Sequence, residues 1–320
     1  MSDTASTAPP AACALCGATT ITLHCRLRRF SVYRCDACTL RFRHPLPDAA
    51  ELRTMYEDER YHESVYFENA RAGYDADAPE VRIYRRALSD LAELAPSAQA
   101  QAGAPTTPSA RDRRLLDVGC ATGVFLDLAR TAGWDLRGVE LSARHAGYAR
   151  DTFALDVWHG DFLAAPFAPA SFDAITMWDF LEHVLDPRAV VAQARRLLAP
   201  GGLLLVFTID STSLFNRLGD VLQTVSGGRV ARPVELLYDA RHNYYFTAAS
   251  LGRLLEDGGF RVERWRTDRA YLGRWLAEPA PWYLVAGGYV VDTLSLLLRL
   301  QYRRTAICRI IDPRQPVSSQ

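Results

Sequence analysis

The sequence predicts an α/β fold with a small cysteine-rich module ahead of it, on three observations. The stretch Arg114-Leu-Leu-Asp-Val-Gly-Cys-Ala-Thr-Gly-Val-Phe-Leu reads as a short apolar strand, a glycine turn and the start of a helix. Strand-like and helix-like segments then alternate from about Arg113 to Asp268, the pattern of a parallel sheet with helical crossovers. Near the N-terminus, Cys13-x-x-Cys16 and Cys35-x-x-Cys38 are separated by 18 residues.

The chain has 320 residues, enough for one large or two modest domains, and 49% hydrophobic residues, enough for a packed core. Its 37 basic and 37 acidic side chains cancel, and every basic one is arginine. Schiff-base lysine chemistry and a P-loop lysine are therefore excluded. The neutral balance also argues against an electrostatically driven nucleic-acid binder. Seven cysteines are too few for a disulfide scaffold. The start MSDTASTAPPAA has neither a charged n-region nor an apolar h-region, so it does not read as a signal peptide. The expected compartment is the reducing cytosol, where clustered cysteines point to metal.

Five segments follow in order. Residues 1–11 read as a disordered tail, 12–45 as a cysteine ribbon and 46–95 as a helical segment. Residues 96–110, PSAQAQAGAPTTPSA, carry no charge and no large apolar side chain and read as a flexible linker. Residues 111–320 read as the α/β domain, with 210–241 inserted as a lid and 269–302 as an apolar helical excursion.

The spacing of Cys13, Cys16, Cys35 and Cys38 matches a zinc site. Each Cys-x-x-Cys turn offers two thiolates, and two such turns close a tetrahedron; four cysteine ligands leave no open position, so the site is structural. Gly17 permits the turn, and the intervening TTITLHC and FSVYRC have strand character. The alternative is four free thiols or redox pairs. Arg26, Arg28, Arg29, Arg34, Arg41 and Arg43 make the module locally basic, which serves solubility or the gripping of a nucleic acid or partner.

In the glycine loop, Gly119 and Gly123 bracket a turn whose backbone N–H groups face a ligand at a helix N-terminus. The pattern Gly-x-Ala121-x-Gly departs from the nicotinamide fingerprint. Trp134 to Glu140 reads as a second strand ending in an acid suited to a ribose diol. A third strand ends in Asp161 and Phe162, a pair that suits an adenine amine and ring face. Phe172 to Trp178 reads as a fourth strand, and the turn Leu198-Ala-Pro-Gly-Gly leads into a fifth.

This run resembles the class I S-adenosylmethionine (SAM)-dependent methyltransferases over about residues 113–268. DVGCATG, VEL, GDF, FDAITMWDFLEHV and LLAPGGLLLVF are similar to their successive motifs. The resemblance implies a Rossmann-like sheet of seven strands with an antiparallel last strand, and SAM as cofactor. It places Asp117, Gly119, Ala121 and Gly123 around the methionine portion, Glu140 with Leu141 at the ribose, and Asp161 with Phe162 at the adenine; Trp178 completes the set. The ribbon followed by TLRFRHPLPDAAELRTMYEDERYH resembles bacterial methyltransferases with an N-terminal zinc ribbon, whose substrates tend to be sugars, surface glycans or small polar metabolites. The sugar C-methyltransferases among them usually carry a further C-terminal domain, so C-methylation is disfavoured.

SAM supplies the electrophile, so an alcohol acceptor needs a base or a metal from the protein. Asp179, Glu182 and His183 share one face if a helix starts after the fourth strand. They resemble the acid-x-x-Glu-His group that binds a divalent metal in ubiquinone-pathway O-methyltransferases. In the other reading they support the SAM pocket. His242, in RHNYYFT before a helix capped by Thr247, is the favoured general base, against a role in bonding the lid. The reading is thus a SAM-dependent methyltransferase acting on a hydroxyl of a sugar, glycan or related metabolite. Its rivals are an RNA methyltransferase gripping substrate with the ribbon, and a non-catalytic SAM-binding scaffold.

Trp282 to Leu300 is a mostly apolar run of 19 residues. It lies between segments that read as the sixth and seventh strands, 260–267 and 303–311, so a single membrane crossing is excluded. The excursion is expected to be packed helices or an interfacial hairpin on the inner face of the membrane, with Trp275, Trp282 and Tyr283 at the headgroups. Gly287, Gly288 and Asp292 weaken a lipid-facing helix and favour packing.

Overall fold

The computed structural model describes residues 8–57, 78–95, 113–227, 229–230, 232–270, 272 and 282–311. The expected linker at 96–110 and Trp275 lie outside the described residues, as does much of the tail. The expected helical segment at 46–95 is described as α1 (Ala49–Glu57) and α2 (Pro79–Leu94).

The core is one seven-stranded sheet. In chain order its strands are β4 (Arg113–Val118), β5 (Trp134–Glu140), β6 (Val157–His159), β7 (Phe172–Trp178), β8 (Leu198–Ile209), β10 (Phe260–Asp268) and β11 (Arg303–Ile310). They lie side by side in the order β10-β11-β8-β7-β4-β5-β6. β4 pairs in parallel with both β5 and β7, β5 with β6, and β7 with β8, whereas β11 runs antiparallel between β8 and β10. This is the Rossmann-like methyltransferase sheet that the sequence implies, with an antiparallel last strand. The crossover helices are α3 (Val124–Thr131), α4 (Ala143–Phe153), α5 (Pro187–Leu197) and α8 (Ala248–Asp257). Their starts are set locally. Ser142, Asp186 and Thr247 accept hydrogen bonds from backbone N–H groups of the first turns, and Thr247 with Ser250 forms a reciprocal capping box.

The cysteine module is built on β1 (Ile21–Arg26), β2 (Ser31–Cys35) and β3 (Arg41–His44), joined by antiparallel pairing. Each Cys-x-x-Cys turn closes the same way. Gly17 N–H donates to the Cys13 carbonyl and Thr39 N–H to the Cys35 carbonyl, both at 2.9 Å, with Gly17 and Thr39 left-handed at φ +71° and +64°. A β-branched residue is strained there. The Thr39 hydroxyl lies 2.7 Å from that of Thr247, which fastens the turn to the helix cap of the main domain.

The module is not a separate body. Its sheet takes a fourth strand, β9 (Tyr244–Tyr245), from the main domain, paired antiparallel to β3. Cys13, Cys35, Cys38, Leu40 and Phe42 lie in the same apolar cluster as Val118, Met177 and Leu204 of the large sheet. Between β8 and β9 the inserted segment folds as α6 (Leu214–Val225) and α7 (Arg232–Leu237). A polar knot binds it to the ribbon. Arg41 spans both oxygens of Asp220 at 2.8 and 3.2 Å and donates to the Tyr238 hydroxyl at 2.6 Å, and His24 lies 2.8 Å from both partners. Burial pushes the Asp220 carboxyl up, but His24 and Arg41 outweigh it and hold it below the usual carboxylate range. His24 of β1 thereby ties the ribbon to the inserted segment.

Asp220→Ala should cost about 2 kcal/mol in urea unfolding, because it leaves Arg41 without its charge partner in a mostly buried site. A double-mutant cycle with Arg41→Ala should show positive coupling, whereas additive losses would mean that the two side chains act separately.

Candidate functional site

At the carboxyl ends of β4, β5, β6 and β7 lies a cavity of about 340 Å³, within the range of ligand sites. The chain order reverses at β4, which neighbours both β5 and β7, and ligands of open α/β sheets bind at that crevice. Asp117, Gly119, Ala121, Glu140, Leu141, Asp161, Phe162 and Trp178 all line it, together with Asp179 and His183.

The glycine loop packs tightly against side chains of its own fold. Gly119 stands at φ +73°, and a Cβ there would fall 2.7 Å from the Phe180 ring. Gly123 does not reach the cavity wall. It starts α3 at φ +84°, where a Cβ would strike Leu155 at 2.5 Å. Ala121 occupies the left-handed region at φ +47°, the conformation a glycine adopts without strain. Its N–H donates to Glu140 Oε2 at 2.9 Å, and Ser142 N–H donates to Oε1 at 2.8 Å. The acid at the end of β5 therefore orders the loop at the end of β4, and each oxygen retains lone pairs for a diol.

Asp117 is buried behind the loop and accepts a hydrogen bond from the Thr176 hydroxyl at 2.7 Å. Burial, reinforced by the charge of Glu140, pushes it up to about 8. Asp161 caps the short turn Phe162–Ala164 by accepting from Leu163 N–H at 3.0 Å, which sets Phe162 into the wall. Trp178 packs against Tyr84, Phe125 and Phe207, with ring centroids 4.7, 5.0 and 5.2 Å away, and its buried Nε1–H has no acceptor among the described residues.

The acceptor side departs from expectation. Asp179 stands at φ +45°, so no helix starts there; residues 181–183 form a turn. Its carboxylate is bound to Arg303 of β11 in an ion pair, which withdraws it from the expected metal trio. The set that comes together is Glu182, His183 and His242, whose candidate ligand atoms lie within 4.8 Å of one another. Both Glu182 carboxylate oxygens are buried near the Thr208 hydroxyl without a well-formed hydrogen bond among the described residues, and burial with the charge of Asp179 pushes that carboxyl up to about 8.

His242 is not on the cavity surface. It sits behind His183, ring centroids 4.6 Å apart, with its Nδ1 buried and without a partner among the described residues. Burial, then the neighbouring His183, hold His242 well below the usual imidazole range. His183 Nδ1 lies 3.1 Å from the Arg241 carbonyl oxygen, a geometry that places the proton on Nδ1 and the lone pair on Nε2. Burial lowers its pKa to about 4.

Three functional residues escaped the sequence reading. Asn243 donates to the carbonyls of His183 and Val184 at 2.7 and 3.2 Å, and Tyr244 donates to Leu185 at 2.8 Å, so β9 clamps the loop that carries His183. Arg303 holds Asp179. Their neighbours RHNYYFT and QYRRT gave no motif for these contacts, which arise across 60 and 124 positions of chain.

A family model described as "Methyltransferase domain" matches residues 81–264, more than half of the chain. The chain belongs to the methyltransferase domain family. The ubiquinone biosynthesis O-methyltransferase of Psychrobacter arcticus is 31% identical over 159 residues, covering 46% of this chain and 59% of that protein. The Xylella fastidiosa protein of the same name is 32% identical over 201 residues, 52% of this chain and 75% of that one. The chain thus spans less than two thirds of the first of these relatives. Among solved structures, the 4+2 cyclase SpnF superposes with a TM-score of 0.52 at 18% identity, over 83% of this chain and 97% of that one, and shares the fold. The methyltransferase domain's motifs lie inside the matched segment, and the ribbon lies outside it.

Between pH 3.8 and about 8 the folded apoprotein keeps a proton on Asp117 that the unfolded chain has released. This raised pKa contributes stability that is full at low pH and is lost as pH rises towards 8. Thermal melts should therefore show Asp117→Asn gaining on wild type steadily from acid to pH 8. A constant difference would contradict the raised pKa.

Proposed function

We propose that the chain is a SAM-dependent methyltransferase that methylates a hydroxyl of a small polar acceptor, a sugar, glycan unit or related metabolite. One observation carries the reading: a single cavity at the switch point of the sheet is lined by eight of the nine residues that the motifs assign to SAM. The residues fit the cofactor. Gly119 and Ala121 bring left-handed backbone to the wall, Glu140 retains lone pairs, and the Trp178 N–H in the wall lacks an acceptor among the described residues. The names of the relatives favour oxygen as the methylated atom.

SAM supplies an activated methyl group. Asp117, Gly119, Glu140, Asp161 and Phe162 would hold it with that methyl group open to the acceptor oxygen, and S-adenosylhomocysteine would be the other product. The hydroxyl proton passes to the imidazole of His183, which faces the cavity with its Nδ1 fixed on the Arg241 carbonyl. His242, behind it, is a positioning residue. His183→Ala should lower kcat by about 100-fold with SAM affinity intact. His242→Ala should also lower kcat, with a shifted pH profile for the remaining activity. Unchanged kcat in His183→Ala would overturn the assignment.

A second reading is favoured by the orphaned atoms of Glu182 and His242. Glu182, His183 and His242 would hold a divalent cation, which would supply Lewis acid activation of the acceptor oxygen. Chelation separates the two: activity after dialysis against EDTA favours the imidazole base, and loss restored by Mg²⁺ or Zn²⁺ favours the cation.

Cys13, Cys16, Cys35 and Cys38 would hold a structural zinc ion. The Sγ atoms of Cys13 and Cys38 lie 3.7 Å apart and those of Cys16 and Cys35 3.5 Å. A tetrahedron with Zn–S of about 2.3 Å needs about 3.8 Å. Elemental analysis should find zinc in the purified chain and none in Cys35→Ser, whose melting temperature should fall. Two of the ribbon arginines are taken up inside the fold and do not serve an RNA grip. Arg41 and Arg43 turn inward to Asp220 and the Ala240 carbonyl, and Arg34 and Arg28 pair with Asp36 and Glu235.

A further inference from the structure

The helix that ends the apolar excursion, α9 (Trp282–Leu297), is inside out. Its buried positions include Asp292 and Ser295, and its outward positions are apolar: Trp282 is 79% exposed, Val290 58% and Leu297 73%. The inserted helix α6, which packs beside it, repeats the inversion. Asn216 and Gly219 are buried, while Leu218, Val221 and Val225 form an outward stripe at helical spacing, with Val225 82% exposed. A helix on a water-facing surface buries its apolar side. Polar and small residues turned inward with apolar residues outward is the arrangement of helices that face lipid.

The charges are arranged to match. Each helix has one acid, and both acids are turned inward: Asp220 into the knot with Arg41 and His24, and Asp292 onto Arg269 Nε at 2.6 Å and Ala270 N–H at 3.1 Å. Among the described residues, the exposed charges on and beside the two helices are the arginines 217, 229, 269 and 299. Asp292, which at the level of sequence argued against lipid, is thereby removed from the outer face. The topology adds position. β10 ends and β11 begins at the carboxyl edge of the sheet, so the excursion emerges on the edge that holds the cavity, as does α6 after β8.

From this surface we infer that α6 and α9 together dock the protein on a phospholipid bilayer with anionic headgroups. The apolar stripe enters the headgroup–acyl boundary and the arginines meet the phosphates. At 16 residues α9 spans about 24 Å, and no helix among the described residues is long and apolar enough to cross a membrane, so the helices lie in the plane of the interface. The inference is independent of the transferred group, because binding is read without turnover.

Flotation of the purified full chain with phosphatidylcholine vesicles, with and without phosphatidylglycerol, tests it. The chain should float with the anionic vesicles and much less with the neutral ones, and raised salt should weaken flotation. Val225→Glu with Leu297→Glu should lower the partition coefficient by at least about tenfold while melting temperature and SAM binding stay at wild-type values. Arg217→Gln with Arg299→Gln should reduce the preference for anionic vesicles. Wild-type chain remaining at the bottom with both vesicle types would overturn the inference. So would a dimer, seen by sedimentation, that occupies the stripe and is broken by Val225→Glu.

Discussion

The strand β9 is two residues long, and most of the candidate site hangs on it. Through β3 it completes the cysteine-bound sheet, and through Asn243 and Tyr244 it grips the loop from Glu182 to Leu185. Backbone N–H groups of Asn243 and Tyr244 both reach the Glu182 carbonyl, at 2.8 and 3.1 Å. The wall that carries His183 is therefore held by hydrogen bonds that begin at the ribbon. A metal at the four thiols would act on the acceptor side through rigidity, at a distance from the chemistry.

The cofactor half was largely legible in the sequence because its contacts are local. Glu140 orders Ala121 across one strand–helix–strand unit, and the acid ending each strand is visible as such. Ala121 illustrates how far such reading goes: the motif flagged an alanine at a glycine position, and the backbone adopts the left-handed conformation that the motif requires. The acceptor half was legible only in part. The residues of EH and RHN were visible, but which of them meet depends on pairing between segments some 60 positions apart. At Asp179 a turn stands in place of the expected helix, with the N–H bonded to the Phe207 carbonyl and the carboxylate held by Arg303 of the last strand.

The cations form a pattern as well. Every basic side chain is arginine, and several hold carboxylates: Arg41 with Asp220 and Arg303 with Asp179 in mostly buried pairs, and Arg264 and Arg266 on the buried Asp90 from nearer the surface. A guanidinium stays charged throughout the working range and offers a planar fork to a carboxylate. These pairs fix orientation, while the groups whose protonation is poised near neutrality are the buried acids Asp117 and Glu182.

The shared sheet has a consequence for where the catalytic unit begins. A chain trimmed to start at Arg113 would keep every motif around the cavity, yet it would strip β3 from β9 and leave Tyr244 and Tyr245 as an unpaired edge strand. It would also uncover Tyr238 and Asp220, and apolar side chains of the common core. An uncovered strand edge beside exposed apolar surface is a template for aggregation. The boundary implied by the motifs is therefore not a boundary of folding, and the folding unit includes the ribbon.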